Sequence, residues 1–474
     1  MAVKKEQTKE KTAGELLAEK LCEKPKNAAL IMSDEEIARA DEFCEGYKRF
    51  MNAAKTEREA TAEAVRLAKE AGFKEYVPGK KYKAGDRFYF VNREKAIILT
   101  VMGKKPLAEG IRLAAAHIDS PRLDLKQHPL YEDKDMALFK THYYGGIKKY
   151  QWTTVPMSLH GVIVKADGEK VTVSIGEDEG DPVFCVTDLL IHLASEQMQR
   201  PLAKGITGEE LNLLVGSRPF RDDKVSKKVK LNVLRILNEK YGITEHDFVS
   251  AELEIVPAFK ARDLGFDRSM VGAYGQDDRV CAYPSLMGIL ACKKPEYTAM
   301  TVLTDKEEIG SEGNTGLNSS YLPYFIDDLA ETQGVKGHTV ISHSVCLSAD
   351  VNAAEDPTFS DVTESRNASK LGYGVVFTKY TGARGKSGTS DASAETVGRV
   401  RRLMDAAGVI WQTGELGKVD AGGGGTVACY IADLDMDVID MGVPVLSMHA
   451  PFEVTSKLDT YQCYLAVNAF FADK

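Results

Sequence analysis

The apolar and polar pattern predicts helices at the start of the chain and strands after them. Residues 33–36 have the spacing of a capping box, and apolar residues then recur at helical spacing through Lys55. A second helix is predicted over about 57–71. Residues 86–102 have the pattern of a strand hairpin, and residues 111–116 form a short apolar run typical of a buried strand.

Residues 128–257 differ from the segments on either side of them. Short β-like runs there surround one charged helical stretch at 226–242. This change of pattern predicts a β-rich domain inserted into a discontinuous domain that is made of residues 1–127 and 258–474.

After residue 258, apolar runs alternate with helical stretches. Such alternation predicts a largely parallel sheet with helices on both faces, so the predicted fold class is α/β. The strands are predicted at 299–304, 340–348, 372–379, 426–432 and 443–448.

Several of these apolar runs end in side chains that carry charge or bind metals. One run ends in His117, another in Asp350, a third in His449, and a fourth is followed by Glu307 and Glu308. Buried carboxylates are costly to desolvate and are usually paired or bound to a cation. Adjacent glutamates at a strand end point in different directions, so one could hold a cation while the other acts on a water beside it.

These residues share a position at which α/β sheets bind ligands, beyond the carboxyl ends of the strands. Asp277, in a loop that leads into a helix, is a further candidate. Two histidines and three carboxylates form a nitrogen and oxygen set suited to zinc, manganese or cobalt. Five ligands exceed the needs of one tetrahedral zinc and suit two ions ~3.5–4 Å apart that share a bridging carboxylate.

A single histidine on an apolar strand is usually a structural residue, and a Glu-Glu pair is usually a helix face. Here the same placement recurs four times, which favours a metal site. The remaining histidines are predicted to be structural residues or surface residues. Among them, His343 is predicted to share a strand with Asp350. Those histidines are His128, His142, His160, His192, His246, His338 and His343.

Composition and charge narrow the possible functions. The chain has 474 residues, 43% of them hydrophobic, with a net charge of −9, which argues against a nucleic-acid or anionic-membrane surface. None of the eight cysteines forms a CxxC pair, so free thiols in a reducing compartment are predicted. The polar N-terminus lacks an apolar signal core, and no apolar run reaches the ~18 residues that span a membrane. We therefore expect a cytoplasmic protein.

Six short motifs together resemble the aspartyl aminopeptidases, a family of dinuclear zinc metallopeptidases. The resemblance covers most of the chain. The motifs are AAAHIDSP (114–121), QDDR (276–279), DKEEIGS (305–311), CLSADVNAAEDP (346–357), GGGGTV (422–427) and DMGVPVLSMHA (440–450).

The resemblance implies removal of N-terminal residues, Asp or Glu, from peptides by two zinc ions. His117 and Asp350 would bind one ion, Glu308 and His449 the other, and Asp277 would bridge both. Glu307 would be the general base, and Asp119 would orient the His117 imidazole. The family also implies a cis peptide bond after the bridging aspartate.

The resemblance further implies that the inserted domain mediates dimerisation and that dimers form a twelve-subunit shell admitting short peptides. Some positions depart from the family pattern. Tyr150 stands where many members have a histidine that contributes to a neighbouring subunit's site. The last motif reads Met448-His449-Ala450-Pro451-Phe452-Glu453 instead of MHSxRE.

The glycine-rich loop at 381–390 suggests a phosphate loop, but the first glycine of that motif would fall at Tyr380. We interpret the loop as a substrate contact, in which Arg384 or Lys386 faces an acidic side chain or a peptide carboxylate.

Two other functions fit the same residues. The first is a different dinuclear amide hydrolase, either a deacylase or a carboxypeptidase. The second is a non-catalytic assembly shell, against which the complete set of ligands with Glu307 argues.

Overall fold

The computed structural model describes residues 11–474, which form three sheets with helices packed around them. The strands, in chain order, are β1 (Lys74–Glu75), β2 (Arg87–Asn92), β3 (Ala96–Val101), β4 (Ile111–His117), β5 (Arg122–Asp133), β6 (Met136–Tyr144), β7 (Met157–Val164), β8 (Lys170–Ile175), β9 (Cys185–Val186), β10 (Leu213–Gly216), β11 (Ala251–Pro257), β12 (Arg262–Leu264), β13 (Met270–Ala273), β14 (Thr298–Thr304), β15 (Val345–Ala349), β16 (Asn352–Ala353), β17 (Val375–Thr378), β18 (Trp411–Thr413), β19 (Asp437–Gly442), β20 (Pro444–Leu446) and β21 (Glu453–Ser456). The α-helices are α1 (Ala13–Leu21), α2 (Asp34–Ala53), α3 (Glu57–Glu70), α4 (Leu202–Gly205), α5 (Lys228–Tyr241), α6 (Gln276–Ala291), α7 (Tyr321–Glu331), α8 (Gly337–Ser342), α9 (Ala394–Ala407), α10 (Ala428–Ala432) and α11 (Lys457–Phe471).

The largest sheet has the strand order β1-β2-β3-β14-β4-β15-β19-β17-β18. Its central strands β14, β4, β15 and β19 are parallel to one another, whereas β3 and β17 pair with them in the antiparallel sense. This sheet confirms the predicted α/β class and places the carboxyl ends of four parallel strands at one edge.

Helices cover both faces of this sheet because successive strand residues point to opposite sides. Ile97 and Leu99 pack into a core with α2, α3, α6 and α11, while Ile98 packs into a second core with α7, α8 and α10. The capping boxes at the starts of α2 and α3 are formed by Ser33 and Thr56. Both predicted N-terminal helices are thereby confirmed.

Three strand predictions after residue 258 need correction. The run at 340–348 begins as the end of α8, and its strand, β15, starts only at Val345. The run at 426–432 is mostly α10, since a short apolar run does not by itself distinguish a strand from a buried helix turn. The run at 443–448 contains β20, which belongs to another sheet, whereas the neighbour of β15 is β19. His343 lies after α8 and does not share a strand with Asp350.

The second sheet is antiparallel, with the order β8-β7-β11-β5-β6-β10-β9, and α5 packs against it. All its strands come from residues 122–257. The predicted boundary at residue 128 therefore falls inside β5, because this strand begins directly after the segment that carries His117. Trp152 is completely buried in the core of this sheet.

The third, small sheet has the order β12-β13-β21-β20-β16. Its β13 and β21 pair so that Ala273 is opposite Glu453. This pairing brings the segment of Asp277 close to the segment of His449.

All eight cysteines are free thiols, and Cys22 is the one that is exposed. Among residues 11–474, no helix combines the length and apolar character needed to cross a membrane.

Candidate metal centre

The candidate ligands come together at the carboxyl edge of the large sheet. His117 ends β4 and is paired with Thr304, the last residue of β14. Glu307 and Glu308 lie in a short 3-10 turn three residues beyond β14, and Asp350 directly follows β15. The parallel register of these strands therefore delivers side chains from distant parts of the sequence to one place.

Asp277 lies between the two histidines. The distance from His117 Nε2 to Asp277 Oδ1 is 3.1 Å, and the distance from His449 Nε2 to Asp277 Oδ2 is also 3.1 Å. The peptide bond that joins Asp277 to Asp278 is cis, as the resemblance implies. Each oxygen of one carboxylate thus faces a different imidazole, which is the arrangement a bridging ligand requires.

The structure contains two groups of three side chains that could each hold a metal ion, and within each group the ligand atoms lie within 4.8 Å of one another. One consists of His117, Asp277 and Glu308, and the other of His117, Asp278 and Asp350. Asp278 was not assigned a role from the sequence. Its Oδ2 accepts a hydrogen bond of 3.2 Å from the backbone N–H of His117, so it also holds the end of β4 in place.

The protonation of both histidines fits a cation between them. His117 Nδ1 is 3.0 Å from the backbone carbonyl of Asp119, and His449 Nδ1 is 2.7 Å from that of Gly146. Because a carbonyl only accepts, each Nδ1 donates a proton to its carbonyl, and Nε2 is the ring atom that faces the carboxylate oxygens and that a bound metal ion would use. Glu308 Oε1 is buried and has no hydrogen-bond partner within residues 11–474. A metal ion would satisfy all of these atoms.

The electrostatics of the site reflect an excess of buried carboxylates. Burial raises the pKa of Glu307 to about 7, and the carboxylates of Asp119 and Asp277 contribute to the rise. Burial and the charge of Asp277 hold the pKa of Glu308 well above its usual range. Burial opposes the charged form of His449, but the hydrogen bond to Asp277 and the charge of Glu308 raise its pKa to about 10. The negative charges of these buried carboxylates therefore favour a cation at the centre of the cluster.

Asp119 organises the turn that carries the glutamates. Its carboxylate oxygens accept hydrogen bonds of 3.2 Å from the backbone N–H groups of Glu307 and Glu308. One of these oxygens also accepts a hydrogen bond of 2.8 Å from the hydroxyl of Tyr144. The other lies 3.3 Å from His117 Nδ1, which is closer to the backbone carbonyl of Asp119. The carboxylate of Asp119 therefore holds the backbone of both glutamates, and its backbone carbonyl and carboxylate both lie beside the imidazole.

Glu453 connects the segments of two candidate ligands. Its carboxylate accepts hydrogen bonds from the backbone N–H groups of His449 at 2.8 Å, Gln276 at 2.6 Å and Asp277 at 3.2 Å. Sequence reasoning assigned no function to Glu453 or Tyr144. The glutamate at the end of the last motif was the available signal for Glu453, whereas nothing in the local sequence marked Tyr144.

A cavity of about 520 Å³ opens onto this cluster. Its other walls are the glycine-rich segment at 423–425 and neutral side chains, including Val351, Leu416, Tyr430 and Met448. Arg384 and Lys386 line a neighbouring cavity of about 230 Å³ instead.

The predicted substrate residues do not line the cavity that opens onto the candidate ligands. Lys386 Nζ is 3.1 Å from Asp391 and 3.9 Å from the centre of the Tyr380 ring. Tyr150 lies in the short turn Lys149–Trp152 and is 40% exposed. The structure brings the five candidate ligands together with Glu307, but it does not place these three residues in the same cavity.

Comparison with known proteins identifies the family. The model of the M18 family, aminopeptidase I zinc metalloproteases, matches residues 50–471. A relative from Clostridium acetobutylicum, described as a probable M18 family aminopeptidase 1, is 50% identical over 453 residues, covering 94% of this chain and 97% of the relative. The crystal structure of an M18 family aminopeptidase from Thermotoga maritima has a TM-score of 0.90 at 46% identity, covering 95% of this chain and 99% of the other. A structure of the S. cerevisiae mApe1 dodecamer shares the fold, with a TM-score of 0.74 at 19% identity over 92% of this chain and 97% of the other. The chain therefore belongs to the M18 family of zinc aminopeptidases.

Proposed function

We propose that this aminopeptidase uses two metal ions bridged by Asp277 to release N-terminal residues from short peptides. The observation that carries the proposal is the position of the Asp277 carboxylate, whose two oxygens are each 3.1 Å from a different histidine Nε2. A shared carboxylate between two sets of ligands is typical of hydrolases with two metal ions.

The ligands divide between the two ions according to their positions. His117 and Asp350 would hold one ion, and Glu308 and His449 the other, as the sequence predicts. Asp278 faces the first of these sets and would complete or support it. Bound zinc ions would acidify a water molecule and polarise the scissile carbonyl.

We assign the role of general base to Glu307. It lines the cavity, and its Oε2 is 3.8 Å from His117 Nε2, so its carboxylate lies beside the ligand cluster. A carboxylate beside a metal-bound water can first accept a proton and then donate it. Glu307 would take the proton of the attacking water and pass it to the amine of the leaving peptide.

The lining of the cavity favours a neutral N-terminal residue. Among the described residues, no lysine or arginine lines this cavity, so an Asp or Glu side chain would be desolvated there without a cationic partner. Arg384 and Lys386, in the neighbouring cavity, would instead face a downstream acidic side chain or the C-terminal carboxylate of the peptide.

A substrate panel tests this assignment. Enzyme stripped with chelator and then given zinc, manganese or cobalt would be assayed on Asp, Glu, Leu, Ala and Lys aminoacyl substrates. We expect metal-restored release of Leu and Ala. Release of Asp and Glu alone would support the acidic preference implied by the sequence and overturn the neutral one. Acyl or C-terminal products would instead indicate a deacylase or a carboxypeptidase.

Substitution of Glu307 tests the base. We expect Glu307→Gln to lose about 10²–10⁴-fold in kcat while binding zinc like the wild type, because the change removes a proton acceptor and adds no bulk. Unchanged hydrolysis by this variant would contradict the assignment of Glu307 as the base, whereas no hydrolysis by the metal-loaded wild type would favour the non-catalytic shell.

We also propose that the second sheet mediates dimerisation and that dimers form a twelve-subunit shell. Several apolar side chains from this part of the chain are exposed, among them Leu190 at 57% and Leu193 at 70%. A mainly apolar cavity of about 560 Å³ lies between α5 and the strands of this sheet. Exposed apolar surface of this kind is typical of a protein interface. Tyr150 would reach the site of a neighbouring subunit in such an assembly.

Analytical ultracentrifugation of the Leu190→Asp and Leu193→Asp double variant tests the interface. We expect smaller particles than for the wild type. Phe266→Asp is the matched control, because Phe266 is fully exposed and lies outside the second sheet. Equal particle size for all three proteins would exclude this surface from the assembly.

A further inference from the structure

Two groups from the second sheet contact the metal centre. The Tyr144 hydroxyl, at the end of β6, donates a hydrogen bond of 2.8 Å to Asp119 Oδ2. Two residues later, the carbonyl of Gly146 accepts a hydrogen bond of 2.7 Å from His449 Nδ1. We propose that residues 144–146 are a positioning segment that aligns the metal ligands, a role that rests on the proposed two-metal function.

Tyr144 acts through Asp119. The two carboxylate oxygens of Asp119 receive the backbone N–H groups of Glu307 and Glu308, and the Tyr144 hydroxyl is the side-chain donor that completes this set. Loss of the hydroxyl leaves the carboxylate with two longer bonds of 3.2 Å and with His117 Nδ1 at 3.3 Å. The turn that carries both glutamates would then be less precisely placed.

The Tyr144 ring is itself fixed in position. It is buried, and the guanidinium of Arg122 lies 3.8 Å from its centre. Arg122 is in turn 3.3 Å from Glu254 of β11, so the ring is held within the second sheet. A packed aromatic ring presents its hydroxyl at a defined point, which is what a positioning role requires.

The glycines bring the backbone against the ligands. Gly145 has a φ of +75°, and a Cβ atom there would lie 3.2 Å from Glu308 Oε2 and 3.4 Å from the Cα atom of Pro121. This close approach lets the next carbonyl, that of Gly146, reach His449. A carbonyl that receives the Nδ1 proton fixes the tautomer in which Nε2 is free to bind metal.

The consequence is that the large sheet alone does not complete the metal centre. Each of the two contacts joins residues 144–146, at the end of β6 and just beyond it, to a loop that follows a strand of the large or third sheet. A displacement of the second sheet would therefore change metal affinity and turnover together.

Paired substitutions test this inference. Tyr144→Phe removes only the hydroxyl, and Tyr143→Phe makes the same change at an exposed neighbour on the same strand. Gly145→Ala pushes the segment away from Glu308, and Gly168→Ala repeats the strain of a positive φ at a position with no atom within 4 Å. Zinc affinity would be measured by competition with a chromogenic chelator, and kcat and KM with a Leu substrate.

We expect Tyr144→Phe and Gly145→Ala to bind zinc about 10–100-fold more weakly than their controls. We also expect kcat to fall for Tyr144→Phe at saturating zinc, with KM unchanged, because the hydroxyl contacts neither metal nor substrate. If both variants match their controls in zinc affinity, the inference is overturned.

Two further outcomes remain informative. If Tyr144→Phe does not give the native near-ultraviolet circular dichroism spectrum, Gly145→Ala decides the question against Gly168→Ala. If the wild type binds zinc but releases no amino acid, the proposed function fails, while the comparison of zinc affinities still tests the positioning segment.

Discussion

His160 should make the stability of the fold depend on pH. It is buried on β7, where Nδ1 is 2.8 Å from Glu59 of α3 and Nε2 is 3.2 Å from Glu177. Burial opposes its charged form, but the hydrogen bonds to Glu177 and Glu59 raise its pKa from the ordinary 6.5 to about 8. The protonated imidazole therefore links β7 of the second sheet to α3, which packs against the large sheet.

The magnitude follows from the change in pKa. One pKa unit corresponds to about 1.4 kcal/mol, so a rise from 6.5 to about 8 stabilises the folded state by about 2 kcal/mol. Because the folded state has the higher pKa, this contribution is complete below pH 6.5 and is lost as the pH rises through about 8. Alkaline conditions should therefore weaken this contact between the two parts of the chain.

Denaturant unfolding of the wild type and His160→Gln at pH 6 and pH 9 tests this reasoning, with protein and zinc concentrations held constant. We expect the wild type to exceed the variant in unfolding free energy by about 2 kcal/mol more at pH 6 than at pH 9. Lys55 and Lys260, which also face Glu177, are present in both proteins. His128→Gln, at an exposed position on β5, is the matched control. Parallel pH profiles for the wild type and His160→Gln would refute the reasoning.

Three other predictions concern the metal, its supports and the core. Removal of zinc should lower the unfolding temperature of the protein, because a ligand present at a thousandfold excess over its Kd stabilises the folded state by about 4 kcal/mol. If re-addition of zinc to the stripped protein leaves the unfolding temperature unchanged, this prediction is wrong. Glu453→Gln should weaken zinc binding about 10–100-fold relative to Glu331→Gln, which is the control at an exposed position. The reason is that the amide NH₂ of the glutamine would face backbone N–H groups that donate to a carboxylate in the wild type. Equal zinc affinities in a chelator competition would exclude a role for Glu453. Leu99→Ala, at a fully buried position on β3, should cost about 2–5 kcal/mol in unfolding free energy, and a loss below 1 kcal/mol would show that the site can collapse.

The sequence predicted those features that depend on residues close together in the chain. The helices after Ser33 and Thr56 begin with capping boxes, and the strand before Asp305 is a continuous apolar run. The strand β19 was missed because Asp437 and Asp440 interrupt its apolar pattern. Asp440 is buried nonetheless, and it accepts a hydrogen bond of 2.8 Å from Thr426.

The candidate site divides in the same way. The candidate ligands could be picked out from the sequence because each lies at the end of an apolar run or within a motif, and the structure brings them close together. Tyr144 and Gly146 were not found because their roles depend on a contact between two sheets, which no local pattern records. The choice between Asp277 and Asp278 as neighbour of Asp350 likewise depends on three-dimensional geometry.

The position of β4 in the large sheet has a consequence for the order in which the protein folds during synthesis. Its neighbours in the sheet, β14 and β15, lie far downstream in the sequence, whereas the second sheet is complete once residue 257 has been made. The second sheet can therefore form on the ribosome while β4 still lacks both partners. His449 follows β4, β14 and β15 in the sequence, so the nascent chain has no complete candidate metal centre until residue 449 has been made.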